Sequence, residues 1–323
     1  MFRTEIQLDP SPYKISLSSA VVSMGSCFAH IIGDRLKAFK FKALSNPFGV
    51  VYNPISVFEL FRMGLQKKMP PEDSYLVSQS VHYNYCFHSD ISALTRDELE
   101  RKAGEAILNL NGWLKQADWA IITLGTAFVY KRTDNGQIVA NCHKVPGGFF
   151  NREMLEPDDI LLAFESLREE LMAVNPHIRF IFTVSPVRYI RDTLPGNSAS
   201  KAVLRYVCEK LVRKFENVDY FPSFEALIDD LRDYRFYADD MAHPNSLSER
   251  YVWDKFVGRY FDEPAKRFIE EWESIRKALA HRPFYPGLPA HQAFLKKTMD
   301  RLRALSSIVD VSEEIAYLNA QLK

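Results

Sequence analysis

Two continuous apolar runs constrain the fold of this chain more than any other feature: DWAIITLG at 118–125 and IRFIFTVS at 178–185. Each has the length of a strand and shows no polar alternation. A strand that is apolar on both faces must be covered on both, as in parallel sheets flanked by helices. Helical patterns stand around these runs. Thr95-Arg96-Asp97-Glu98 is a capping box and opens a helix bearing Leu99, Ile107, Leu110 and Leu114. Pro157 opens another with Ile160, Leu161, Phe164, Leu167 and Leu171, and a third from about Ser198 to Phe215 leads to a short strand in NVDYF. Earlier, Val21, Val22 and Met24 form a strand ending at Gly25. A helix from Phe28 to Phe39 follows, with Ile31, Ile32, Leu36 and Phe39 on one face, then a short strand in FKALS. Asp134-Asn135-Gly136 marks a hairpin insertion. The order βαβαβαβ predicts an α/β fold with a doubly wound parallel sheet.

The pattern changes after about residue 262. From Glu263 onward there are two or three amphipathic helices and no strand. One carries Phe268, Trp272, Ile275 and Leu279, another Leu295, Met299, Leu302 and Leu305, with Pro283, Pro286, Gly287 and Pro289 between them. The expected division is an α/β domain over about 1–262 and a helical extension over about 263–323, packed on that domain or serving as a homodimer surface. The chain has 41 basic and 41 acidic residues, so no overall charge points to nucleic acid or a membrane surface. The opening MFRTEIQLDPSPYK lacks the apolar core of a secretory signal, and no apolar run is long enough to span a bilayer. Cys27, Cys86, Cys142 and Cys208 show no paired spacing, which suits reduced thiols and a cytoplasmic protein. In VHYNYCFHSD, alternation puts His82, Asn84, Cys86 and His88 on one strand face, but neighbours two apart spread along ~6–7 Å, a poor cage for an ion. Neither a metal nor a cofactor is expected.

Sites in open α/β sheets form at the C-terminal ends of strands. Those ends read Gly25-Ser26-Cys27, Asn46-Pro47-Phe48-Gly49, Gly125-Thr126 and Ser185-Pro186-Val187-Arg188, and the later loop DYRFYADDMAHPN adds Asp239, Asp240 and His243. A nucleophile, Ser26 or Cys27, needs a base, and the base needs an orienting carboxylate. Asp240 and His243 are three residues apart and would share a face on a helical turn. Cys27, at a helix N-terminus and near His243, is expected to carry a lowered pKa. Arg188 is a candidate for a substrate anion.

Gly-x-Ser at the first strand end and Asp-x-x-His near the C-terminus resemble the SGNH (GDSL-type) hydrolases. More closely, MGSCFA, NPFGVVYNP, FHSDIS, ITLGTAFVY, VANCHKVP, TVSPVRYIRD, YFPSFE and RDYRFYADDMAHPN resemble the GSCFA domain family, placed in that superfamily. The resemblance implies a flavodoxin-like three-layer sandwich and a hydrolase or acyltransferase acting on a small-molecule or carbohydrate ester, or a binding module that kept the cleft. A gapless match puts Cys27 at the nucleophile position and Ser26 in place of the usual aspartate. Gly49 matches an oxyanion glycine. Gly125-Thr126-Ala127-Phe128 stands where Gly-x-Asn-Asp would, so the asparagine donor is missing, with Asn46 or Thr126 as substitutes. The resemblance also makes His88 and Ser89 cleft-lining candidates, with His143 beside them.

Overall fold

In the computed structural model, which describes residues 4–322, the elements follow in the order β1 (Ala20–Gly25), α1 (Cys27–Ala38), β2 (Lys42–Ser45), α2 (Pro54–Gln66), β3 (Tyr75–Ser78), β4 (Val81–Asn84), α3 (Arg96–Leu114), β5 (Trp119–Leu124), β6 (Phe128–Arg132), β7 (Ile138–Val139), β8 (Phe150–Met154), α4 (Pro157–Val174), β9 (Arg179–Val184), α5 (Thr193–Lys214), β10 (Val218–Tyr220), a single turn α6 (Ser223–Glu225), α7 (Ser246–Tyr260), α8 (Glu263–Leu279), α9 (Pro289–Leu305) and α10 (Ser312–Asn319). Among the described residues the central sheet has five parallel strands in the order β10-β9-β5-β1-β2. Counting only these strands in chain order, that is 2-1-3-4-5, the flavodoxin-like winding, whose switch point lies between β1 and β5.

The apolar strands are sorted by the pleat. Val22, Met24, Ala120, Ile122, Leu124, Phe180 and Phe182 join one buried cluster with Phe58, Phe61, Ile107, Leu110, Phe164 and Leu204. Val21, Trp119, Ile121 and Ile181 point the other way, to Phe28, Ile32, Leu36, Trp253, Phe256 and Tyr260. Three layers result, helices on both faces of one sheet. The cluster on the second face continues into the C-terminal helices through Phe268, Trp272, Ile275, Leu295, Met299 and Leu302. No described helix is long and apolar enough to cross a membrane.

Several local expectations change. α2 and α7 are helices where the sequence reading assigned none; each begins at an asparagine N-cap, Asn53 or Asn245, whose side chain accepts the first free amides. The hairpin insertion is a three-stranded sheet, β7-β6-β8, because Phe150–Met154 pairs along β6. The strand through VHYNYCFHSD ends at Asn84, whose side chain caps the next turn by accepting from Cys86 N–H, so Cys86 and His88 leave the shared face. Cys142 and His143 sit in a turn, with His143 and Lys144 at φ 49° and 62°.

One buried ammonium braces the sheet's upper edge. Lys201 of α5 donates to the carbonyls of Gly125 (2.6 Å) and Ser185 (2.7 Å), tying together the loops that leave β5 and β9. Burial pulls its pKa from the usual lysine range down to about 7, with Asp192 opposing the shift. Between about 7 and the ordinary lysine value the unfolded chain holds this proton and the folded chain does not. Stability contributed by this group therefore rises with pH across that window. Lys201→Met is expected to remove that rise, which Tm measured from pH 6 to 10 on both proteins would register as a flatter profile in the variant.

Candidate active site

The first strand end is built around glycine. Gly25 has φ 134°, and a Cβ there would lie 2.1 Å from the Thr123 carbonyl oxygen, so β1 and β5 approach as closely as they do only with glycine. The Gly25 N–H donates to Asn46 Oδ1 (2.9 Å) and the Ser26 N–H to Thr123 O (3.0 Å). Ser26 is the N-cap of α1, yet its hydroxyl caps nothing; it is buried without a hydrogen-bond partner. Cys27, the first helical residue, is half-buried instead.

A cavity of about 490 Å³ opens over this strand end. Ser26, Cys27, Arg188, Asp240 and His243 line it, together with Ser185, Tyr52 and Tyr189. The loop carrying the histidine is an Asx turn and not a turn of helix: Asp240 Oδ1 accepts from the N–H groups of Ala242 (3.0 Å) and His243 (2.9 Å), and Pro244 follows. Asp240 Oδ2 meets His243 Nδ1 at 2.5 Å. These bonds, the two backbone donors first, hold the Asp240 carboxyl down at about 2. With Nδ1–H donated to the carboxylate, Nε2 is the acceptor nitrogen. The loop is pinned to β9's end, since Arg188 N–H donates to Ala242 O (3.1 Å) and the Arg188 guanidinium lies over Tyr237 (4.2 Å) and Tyr234 (5.1 Å). Arg188 has no carboxylate partner among the described residues.

Burial raises the Cys27 thiol above its ordinary value, and the contacts that favour its anion, from Tyr52 and from its own N–H, do not overcome that. The lowered pKa expected from the helix N-terminus is therefore not what the fold produces: the dipole acts on a thiol that has lost much of its water. The other thiols are pushed further, Cys142 to about 11, Cys86 to about 12, and fully buried Cys208 higher still.

The oxyanion candidates fare differently. The Gly49 N–H donates to Asn46 O (2.8 Å), which closes a turn and leaves that amide unavailable. Its glycine is needed for another reason: φ is 75° and a Cβ would run into the His88 side chain. Asn46 turns its carbonyl oxygen to Gly25 and does not line the cavity, although its buried Nδ2 has no partner. Thr126 Oγ1 belongs to a buried network with Ser200 (3.0 Å) and Asp192 (3.3 Å), and lines the adjoining cavity instead. The Cys27 N–H has no carbonyl acceptor among the described residues.

His88, Ser89 and His143 lie together but off this cavity. His88 Nδ1 pairs with Asp90 (3.0 Å). His143 is buried against Tyr83, its Nε2–H donates to Asn84 O (2.8 Å), and its Nδ1 faces Ser89 Oγ (3.1 Å). Burial lowers its pKa to about 4, so it is a neutral, satisfied core histidine. Tyr52 and Tyr189 were not read from the sequence; the only signal was that both sit just past strand ends. A larger groove, about 890 Å³, lies between α1, α7 and α8, but no serine, threonine or cysteine lines it.

No curated protein matches the chain. Solved structures with partial likeness include a carbohydrate esterase family 2 enzyme with a carbohydrate binding domain from Corynascus thermopiles (Myceliophthora fergusii), 18% identical over 44% of this chain and 36% of that one, TM-score 0.27. This chain thus spans only about a third of that protein's length. Others are a carbohydrate esterase family 3 protein from Talaromyces cellulolyticus, 9% identical over 80% and 99%, TM-score 0.33, and the Clostridium thermocellum family 3 carbohydrate esterase, 12% identical over 75% and 96%, TM-score 0.30. Likeness at these scores decides nothing about this chain, whose winding is read from its own sheet order. The sequence model described as GSCFA domain protein, C-terminal domain, matches residues 272–323, and that of the GSCFA family matches residues 20–256. With well over half its length covered by that model, the chain belongs to the GSCFA family.

Proposed function

We propose that this protein is a hydrolase or acyltransferase of SGNH type that acts on a small ester or thioester through Cys27. One observation carries the reading: Cys27 and the carboxylate-held His243 line a single cavity at the sheet's switch point. His243 Nε2 takes the thiol proton as Sγ attacks the carbonyl carbon. The carbon–oxygen bond to the alcohol then breaks, and the same proton passes to the leaving alkoxide. Water, or an acceptor alcohol, cleaves the resulting thioester with His243 again as base. The raised thiol pKa fits a residue that is deprotonated during attack instead of resting as a thiolate. Ser26 is the weaker nucleophile, because its hydroxyl is buried and has no partner to take its proton, whereas Cys27 in the same cavity is only half-buried.

A second reading, a non-catalytic small-molecule or carbohydrate-binding module, is favoured by the occupied Gly49 amide and Thr126 hydroxyl. Two reagents separate the readings without a known substrate. Iodoacetamide is expected to alkylate Cys27 ahead of Cys86, Cys142 and Cys208, faster as pH rises, with peptide mass spectrometry reading the sites. Labelling of Ser26 by a fluorophosphonate would transfer the role to serine. Selective reaction with neither reagent would leave the binding module.

A further inference from the structure

We propose that Tyr52 is the side-chain oxyanion donor of this site and that Tyr189 is the residue that aims it. The proposal rests on the Cys27 reading above. The donors expected from the sequence are spent or missing. The Gly49 amide closes a turn, Thr126 Oγ1 is bound in a buried network, and alanine and phenylalanine follow Thr126 where an asparagine would stand. One backbone donor, the Cys27 N–H, is left, and a developing oxyanion in a half-buried site needs a second.

Tyr52 is placed to supply it. Its residue is clamped to both strands at the switch point: the neighbouring Val51 N–H donates to Gly25 O (2.9 Å), and Tyr52 O accepts from the N–H groups of Gly125 (2.8 Å) and Thr126 (3.1 Å). The ring packs edge-on against Tyr189, with centroids 5.3 Å apart and planes at 76°. Both rings wall the Cys27 cavity and the one beside it. Tyr189 thus braces the Tyr52 ring on the wall that Tyr52 shares with Cys27, and Tyr52 is the side chain that favours the Cys27 anion against the burial that raises the thiol. Burial raises both phenols, Tyr52 to about 12, so each keeps its proton at neutral pH.

When Sγ bonds to the carbonyl carbon, the thiol proton goes to His243 and the carbonyl π pair moves onto oxygen. That oxygen is one bond from the carbon under attack, so it forms inside the cavity that Tyr52 and Cys27 line together. Catalytic hydrogen bonds absent from a free enzyme form once the reacting group is bound. Collapse of the intermediate restores the carbonyl, expels the alkoxide with the proton from His243, and returns Tyr52 to the sulfur.

The test uses the full chain with p-nitrophenyl acetate and, separately, the pH profile of iodoacetamide alkylation at Cys27. Tyr52→Phe keeps the ring and its packing. It is expected to lower kcat by about 100-fold or more, the scale of one lost oxyanion donor, with KM within about threefold. It should also move the alkylation profile to higher pH, because the thiolate loses a donor. Tyr189→Phe is expected to give a smaller loss, about tenfold, since it frees the Tyr52 proton to turn away without removing it. Cys27-dependent turnover that Tyr52→Phe leaves within threefold, a loss confined to KM, or an unmoved alkylation profile would overturn the assignment of Tyr52 alone. Wild-type protein without Cys27-dependent turnover would overturn the covalent reading itself, and the oxyanion role with it.

Discussion

Cys27→Ala is expected to lower ester turnover on the order of 10⁴-fold or more, and His243→Ala by a comparable factor, because nucleophile and base act as one unit and either loss removes the covalent route. Both variants should fold: Cys27 is small and half-buried, and His243 is on an exposed Asx turn whose backbone bonds to Asp240 survive the change. Ser26→Ala should remain active. Steady-state hydrolysis of p-nitrophenyl acetate with circular dichroism as a fold check reads all three. Active Cys27→Ala with dead Ser26→Ala would make serine the nucleophile. The pH profile has a definite sign. Asp240, with its carboxyl held at about 2, stays ionised and keeps its grip on His243 throughout the working range, so it sets no acid limb near neutrality. Iodoacetamide alkylation of Cys27 should climb on the alkaline side, since burial raises the thiol and each unit of pH increases the thiolate fraction.

Removing the C-terminal helices should be as damaging to the fold as removing Cys27 is to the chemistry. Phe268, Trp272 and Ile275 of α8 share one buried cluster with Phe39, Phe41 and Phe261, and Phe41 meets Phe268 edge-on at 6.3 Å. Trp272 also donates its indole N–H to Ala38 O (2.9 Å), at the end of α1. Each large apolar side chain buried there contributes ~1.5–3 kcal/mol, and several of them together rival the ~5–15 kcal/mol that holds a whole domain folded. We therefore propose that residues from about 263 onward act as part of the α/β body and not as an independent unit. A chain ending near residue 262 is expected to be insoluble, or to melt far below the full-length protein. The single change Trp272→Ala should cost about 3–5 kcal/mol, read by urea unfolding. A soluble truncated chain with an unchanged Tm would show that the helices only rest on the surface.

The parallel sheet was legible because its signal is local. An apolar run such as Trp119–Leu124 admits few placements other than a strand covered on both faces, and the sheet order β10-β9-β5-β1-β2 agrees with the predicted doubly wound class. α7 was missed because its apolar stripe is weak, with Ser248 among its buried positions; α2 was legible, since Val57, Phe58 and Phe61 stand at helical spacing behind the Asn53 cap, and the sequence reading passed over it. The pairing of Asp240 with His243 was readable from spacing alone, since three residues in a tight turn keep two side chains within reach.

Donor availability and ionisation were not readable. The sequence by itself determined the parallel α/β body, the helical character of the tail and which residues stand at strand ends, since these depend on apolar periodicity and turn residues within a few positions of one another. Only the tertiary structure decided that Gly49's amide is spent on Asn46, that Ser26's hydroxyl is buried without a partner while Cys27 is half-buried, that the Cys27 thiol is raised, and that Tyr52 and Tyr189 wall the same space. Hydrogen-bond partners and desolvation are set by groups distant in the chain, and they become fixed when packing excludes water from a site.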